Sequence, residues 1–318
     1  MSRSHEKYTT HSSTGMANPN RPPPRRGVSG GWNRLKPVVL DPLDVYGLPS
    51  KGETRLNDPK NQESFFIKIR DRYMKFCASS GGSEELEKAF ASLSVTEQAP
   101  LGSKLTGSDR PALPRQTSTT ECQNDLSNIL MAMRKLREGM LSSRRRDDFA
   151  QRIYMFIIHA SILAKHWESY QPALQYLLYE IHPHSPLSPT ELQEFVGYKI
   201  LDLACRQHEL QDAFAVKLAF KQHDRRVNAT LLALVHDDWV KFWRTKRAVD
   251  GYQRAIMEHS MDGVRLHALK CLGRGYLNAD KSFVERTTDS GWDDLVASGV
   301  GWQLQESGNV VIRKPKSK

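Results

Sequence analysis

An all-α helical-repeat stack followed by a C-terminal winged helix, behind a disordered N-terminus, is the fold class this sequence predicts. Three observations predict it. From residue 121 to residue 260 apolar residues recur at helical spacing, with no strand signal between them. The helices so defined come as consecutive pairs joined by short connections. Each pair can therefore be covered by its neighbour, the plan of a helical-repeat stack, although no strict period is detectable. Over residues 264–316 an amphipathic helix is followed by two short helical pieces and a two-stranded hairpin. That is the order of a winged helix, a fold that either grips nucleic acid or docks onto protein.

Residues 1–60 are rich in Ser, Pro, Gly, Asn and Arg and cannot bury enough apolar surface to fold alone. The run Arg21-Pro22-Pro23-Pro24-Arg25-Arg26 excludes helix and favours polyproline II. The stretch is read as a basic arm. Arg25 and Arg26 are candidate contacts to RNA or an acidic partner, and a solvated tail is the competing and favoured reading. Lys36-Pro37-Val38-Val39-Leu40 can anchor locally on the folded body. Residues 61–93 form a short helical segment. Phe65, Phe66, Ile69, Tyr73 and Phe76 share one helical face over 62–78, and a second short helix runs over 83–93. Residues 94–120 are Ser/Thr/Pro/Gly-rich and read as a linker.

The body over 121–260 opens with a stripe of Leu126, Ile129, Leu130, Met133 and Leu136. Asp147 and Asp148 start the next helix, where acids favour the dipole, and its stripe runs from Phe149 to Leu163. Pro172 is expected in the first turn of another helix, with Ala173, Tyr176, Leu177 and Ile181 inward. Ser188-Pro189-Thr190-Glu191 is a capping box that starts a helix carrying Phe195, Val196, Ile200 and Leu201. Shorter helices follow over 210–220, 227–235, 239–247 and 249–259.

In the terminal unit, 261–316, the first helix places Val264, Ala268, Leu272 and Tyr276 on one stripe, with Leu269 beside it. Trp292, Leu295 and Val296 share a face of the last short helix. Trp302 and Leu304 alternate with Gln303 and Gln305, Glu306-Ser307-Gly308-Asn309 supplies turn residues, and Val310, Val311 and Ile312 suit a strand. Trp302, Val310, Val311 and Ile312 are the candidate partner-binding residues, because exposed strand positions there offer an edge to a partner's sheet. Residues 317–318 are a tail.

Of the 318 residues, 46 are Lys or Arg and 36 Asp or Glu, a net charge of +10 that permits nucleic-acid or acidic partners. Cys77, Cys122, Cys205 and Cys271 are scattered and make no zinc-ligand spacing. With no signal peptide recognised, this points to a reducing compartment, cytoplasmic or nuclear. The longest apolar run, 154–164, is too short to span a bilayer, so no membrane is expected as a partner. No phosphate loop, HExxH, GxSxG or post-strand GxGxxG occurs. No catalysis, cofactor, metal or small-molecule substrate is therefore expected. His182-Pro183-His184 reads as surface loop and His236-Asp237-Asp238 as a helix start. Two basic clusters remain. Arg144-Arg145-Arg146 is compensated by the acids that follow it. Arg244, Lys246 and Arg247 follow Trp239, Phe242 and Trp243, and read either as a single-strand stacking surface or, preferably, as an amphipathic helix with buried tryptophans. Over 287–312 there is no Lys or Arg, while Asp289, Asp293, Asp294 and Glu306 are present. Duplex DNA would be repelled by such a face, so the wing is expected to bind protein. Arg244, Arg247, Arg313, Lys314 and Lys316 are the remaining candidate nucleic-acid contacts.

Taken together, Arg265-Leu266-His267-Ala268-Leu269-Lys270, Gly275-Tyr276-Leu277, Gly301-Trp302 and Val310-Val311-Ile312-Arg313-Lys314 resemble the PCI domain, a helical stack closed by a winged helix. Trp239-Val240-Lys241-Phe242-Trp243 and Tyr252-Gln253-Arg254-Ala255-Ile256-Met257 resemble the helices that feed it. The likeness covers residues 121–316 through loose apolar patterns. It is nearest to the small-subunit branch shared by the proteasome lid, the signalosome and translation initiation factor three, which is close to the SAC3/GANP-type proteins of mRNA export. The resemblance implies a non-catalytic scaffold that assembles with other PCI-type subunits through strands of its winged helix. The long basic N-terminus departs from the smallest members. It leaves open an RNA-associated adaptor of the SAC3/GANP type, with RNA held by the basic tails.

Overall fold

The computed structural model describes residues 41–79 and 119–313. Residues 41–58 form turns, including two 3-10 turns at Pro49–Lys51 and Arg55–Asn57, ahead of helix α1 (Pro59–Ser79). The arm expected over 1–60 therefore needs correction in its last third, which is packed. Leu43, Tyr46 and Leu56 are buried, and Tyr46 meets Phe65 of α1 edge-on with centroids 4.9 Å apart. The floor beneath them is α2 (Thr119–Ser142). A Cβ at Gly139 of α2 would stand 2.8 Å from both Cβ and carbonyl oxygen of Leu56, so glycine is what lets the two backbones meet. Buried Lys135 donates to the Leu43 carbonyl at 3.1 Å. The expected helix over 83–93 and most of the linker lie outside the described residues, as do residues 1–40.

The body continues with α3 (Asp148–Leu163), α4 (Trp167–Tyr176), α5 (Pro189–Leu201), α6 (Leu210–Ala219), α7 (Arg225–Val235), α8 (Trp239–Ala248) and α9 (Gly251–Met257). Short acidic or hydroxyl side chains start most of them. Asp147 caps α3, Ser188 and Glu191 close the expected capping box on α5, and Asp224, Asp238 and Asp250 cap α7, α8 and α9. Consecutive helices pack as pairs, α1 with α2, α3 with α4, α5 with α6 and α7 with α8, and α9 lies against α3 and α5. Pro172 is not in a first turn. α4 begins at Trp167, where the His166 ring accepts from Ser169 N at 3.2 Å, and the proline sits inside the helix. Its ring faces solvent while Tyr170, Ala173 and Leu174 are buried, so core packing overrides the lost hydrogen bond. α4 and α5 both run on into π-helical turns, Leu177–Ile181 and Asp202–Arg206. The resulting core is continuous from Leu43 to Met257, and Tyr154, Tyr170, Tyr198, Phe195 and Trp243 are among its largest members.

The C-terminal unit consists of α10 (Met261–Gly275), β1 (Asn278–Asp280), α11 (Lys281–Thr288), α12 (Trp292–Ala297), β2 (Gln303–Leu304) and β3 (Asn309–Val311). Its three strands form an antiparallel sheet in the order β1-β3-β2. A second, smaller core of Leu272, Val284, Trp292, Leu295 and Val310 lies between sheet and helices. Ala268 and Leu272 face inward as expected, but Tyr276 falls beyond the end of α10 and is exposed, as is Val296 on α12. Trp243 Nε1 of α8 ties this unit to the body, donating to the Thr287 carbonyl at 3.0 Å, while within the unit Arg265 Nε donates to the Thr288 carbonyl at 3.1 Å. Beside them Asp289, which ends α11 in the left-handed region, accepts from Lys246 and from Arg247, the latter at 2.7 Å.

Candidate interaction surface

Residue pairing in the sheet decides which side chains a partner could touch. Ala279, Val310 and Leu304 stand in one row across the three strands, and Asn278, Val311 and Gln303 in the next. Side chains opposite one another on paired strands share a face, and successive residues alternate. Val310 points into the small core and is 0% exposed; Trp302 and Ile312 pack against the same core. Three of the four expected partner-binding residues are therefore inward-facing. Val311 lies on the outer face between Asn278 and Gln303 and is half-buried. The expected edge is also misplaced, because β3 is the central strand and the edges belong to β1 and β2. The cause is β1, a strand of Asn-Ala-Asp that no propensity favours and that exists because β3 offers it a partner.

The edge that remains exposed near the hairpin is β2. Leu304 on it is 41% exposed, although it belongs to the row that faces inward at Val310. The turn beyond it is closed by Gln305 N to Asn309 O (2.8 Å) and Gly308 N to Gln305 O (3.0 Å), with Gly308 at φ 82°, a value that favours glycine. Glu306 in this turn is exposed, as are Asp293 and Asp294 in the first turn of α12. Asp289 is not, being held by Lys246 and Arg247. The edge thus combines an apolar Leu304 with the acid Glu306 in its turn, which suits a protein with basic or neutral strands better than a phosphate backbone.

The candidate nucleic-acid residues do not converge. Arg25, Arg26, Lys314 and Lys316 lie outside the described residues. Arg313 is exposed and Arg244 is exposed on α8, whereas Arg247 is paired with Asp289. The aromatics of α8 cannot stack on bases. Phe242 and Trp243 are buried, and the half-buried Trp239 lies beside His267 with centroids 5.8 Å apart. The amphipathic-helix reading of this segment holds. Arg145 meets Glu63 and Asp147, and Arg146 meets Glu180; of the two acids expected to compensate the cluster Asp147 does so, while Asp148 accepts from Ser185 and exposed Arg144 forms no ion pair among the described residues.

Two features carry little sequence signal. An open groove of about 930 Å³ separates α8 from α11, lined in part by Val240, Arg247, Phe283, Arg286 and Ser290. Inside the body, His159 Nε2 bonds Glu194 Oε1 at 2.9 Å, the Tyr198 hydroxyl donates to the same oxygen at 2.7 Å, and the Tyr252 ring stacks on the imidazole at 4.3 Å. Burial opposes ionisation of Glu194. The hydrogen bond and charge of His159, together with the Tyr198 hydroxyl, outweigh it and hold the carboxyl below its usual range. Burial drives the Tyr198 hydroxyl well above its own. His182 Nδ1 accepts from Leu187 N, and His184 is engaged by Arg146 and the Glu180 carbonyl. Among the described residues no group of three or more His, Cys, Asp or Glu could hold a metal ion, and no helix is long and apolar enough to cross a membrane. No protein-family model and no curated protein matches this chain.

Proposed function

We propose that the chain is a non-catalytic interaction scaffold of PCI type, a helical-repeat stack that presents a winged helix to a neighbouring subunit of a multisubunit assembly. The observation that carries this reading is the C-terminal unit: the order α10-β1-α11-α12-β2-β3 with strands in the order β1-β3-β2. Support also comes from the paired helices of the body, from the tie of Trp243 to the end of α11, and from the exposed edge of β2. In this reading a partner strand adds to β2, with Leu304 in an apolar contact and main-chain hydrogen bonds fixing register. The assemblies whose small subunits the sequence resembles, the proteasome lid, the signalosome and initiation factor three, define the kind of complex and a cytoplasmic or nuclear setting. The test is purification of the tagged full-length protein from its own cells, with and without nuclease, followed by mass spectrometry. Recovery of PCI-type subunits that survives nuclease is the expected result. Loss of every protein partner on nuclease treatment would overturn the scaffold reading in favour of an RNA-dependent adaptor.

A further inference from the structure

A second surface lies on α6 and α7, independent of the β2 edge. Over residues 217–226 the chain carries Lys217, Lys221, Arg225 and Arg226 against a single acid, Asp224. Asp224 is committed to capping α7, accepting from Arg226 N at 2.7 Å. Arg225 and Arg226 stand in the first turn of α7, which contains no acid. The helix dipole disfavours cations there. Lys221, Arg225 and Arg226 are exposed and, among the described residues, form no ion pair; exposed Arg144, Arg244 and Arg286 are likewise unpaired but do not stand together in one ten-residue segment. This placement opposes local stability and has no internal compensation, the pattern expected of a site kept for an outside ligand.

The loop that carries these cations is held firmly. Lys221 adopts φ 49°, Gln222 N bonds the Lys217 carbonyl at 3.0 Å, and His223 N bonds Gln193 Oε1 of α5 at 2.9 Å. Buried Gln222 reaches the Gln193 carbonyl. Beside the loop, Tyr179 is 46% exposed and meets Phe220 edge-on at 5.8 Å. Leu218, at 75%, is the most exposed large apolar side chain among the described residues. The neighbouring acid Glu180 is occupied by Arg146 at 2.7 Å.

We propose that this surface binds single-stranded nucleic acid, with backbone phosphates on Lys221, Arg225 and Arg226 and an unpaired base against the Tyr179 ring. Cations alone would serve an acidic polypeptide equally well. The exposed Tyr179 ring, which meets Phe220 immediately before Lys221 in the chain, favours a nucleic acid, since stacking on a flat side chain is what an unpaired base adds to phosphate contact. A duplex keeps its bases stacked and gains only the charge term.

The experiment uses the full chain and a fluorescein-labelled 15-nucleotide oligouridine, followed by fluorescence anisotropy over a salt series, with circular dichroism confirming the fold of each variant. R225Q/R226Q is expected to weaken binding about tenfold or more and to reduce the steepness of log K against log salt by about 1.4, two phosphates at about 0.7 each. Y179A is expected to weaken binding about tenfold with the salt slope unchanged. A duplex of the same length is expected to bind more weakly than the single strand. Absence of wild-type binding at about physiological salt, or wild-type affinity in both variants, overturns the proposal; in the second case other cations of the chain hold the strand. Displacement of the strand by polyglutamate at equal charge concentration, combined with no effect of Y179A, also overturns it and assigns the surface to an acidic polypeptide.

Discussion

In the helical body the largest side chains are the best hidden. Trp243, Tyr154, Tyr170 and Phe195 are fully buried in a core shared by helices from α1 to α9. In the C-terminal unit five residues form the buried core, and Leu304, Val296, Leu277 and Tyr276 remain in solvent around it. Both regions use the same local chemistry of polar caps and apolar stripes, so the difference lies in what each leaves uncovered. The body hides its largest aromatics in one shared core and leaves apolar side chains such as Leu141, Leu218 and Val240 exposed on separate helices, with Tyr179 uncovered near the cations of residues 217–226. A small unit with an uncovered strand edge, uncovered leucines and unpaired acids has its apolar surface incompletely satisfied by its own chain. A neighbouring chain can supply the missing cover.

The sharpest way to break this contrast is at the joint. Trp243→Ala removes a buried side chain and the hydrogen bond to Thr287, and is expected to cost about 3–5 kcal/mol, read as a loss of urea stability. Because that residue serves both regions, protection from hydrogen exchange should fall in α8 and α11 together. Val310→Asp comes next. It places an unpaired carboxylate in the small core, at about 3–5 kcal/mol, which that core cannot absorb. Protease should then cut within 276–313 while far-ultraviolet dichroism keeps most of the helical signal. Coincident loss of the whole helical signal would show that the two cores are one cooperative unit. Gly139→Ala should cost less, about 1–3 kcal/mol, because its methyl group meets Leu56 backbone at 2.8 Å and must push residues 41–58 off α2.

A smaller effect depends on pH. The folded-state pKa of Glu194 lies below its ordinary 4.5, so the unfolded chain binds this proton more readily. The contribution of the Glu194 carboxylate is present above pH 4.5 and declines as pH falls through the folded value. Glu194→Gln is expected to flatten the acid limb of the stability curve in that window and leave its neutral-pH shape unchanged. The smallest effect on stability is expected at the surface edge. Leu304→Lys should shift unfolding by no more than about 0.5 kcal/mol.

Much of the fold was legible because helices announce themselves by period. The stripe over Phe65 to Phe76, the capping box at Ser188 and the acids at Asp147 and Asp148 all sit where spacing places them. Residues 41–58 were not legible. Leu43, Tyr46 and Leu56 have no period, and their burial is granted by Gly139, more than eighty positions away in the chain. Pro172 misled for a related reason, since the first turn is the usual home of proline and only the packing of Tyr170 shows that the helix begins earlier. At the candidate surface, alternation set Trp302 and Leu304 on one face but did not reveal that Val310 and Ile312 face inward, and it could not assign strand order. Once Asn278-Ala279-Asp280 pairs with β3, the apolar strand becomes central and the polar-looking Gln303-Leu304 becomes the edge. The basic segment at 217–226 carries no motif in the sequence; the structure adds that Lys221, Arg225 and Arg226 are exposed together without a carboxylate partner among the described residues.

The central claim is that β2 is the docking edge of a protein scaffold. The most direct measurement is quantitative recovery of partner proteins by tagged full-length wild type and by tagged Leu304→Lys, both purified from the protein's own cells after nuclease treatment. The account predicts that wild type retains PCI-type subunits and that the variant, equally stable and equally expressed, loses most of them. Equal recovery by the two proteins would contradict it.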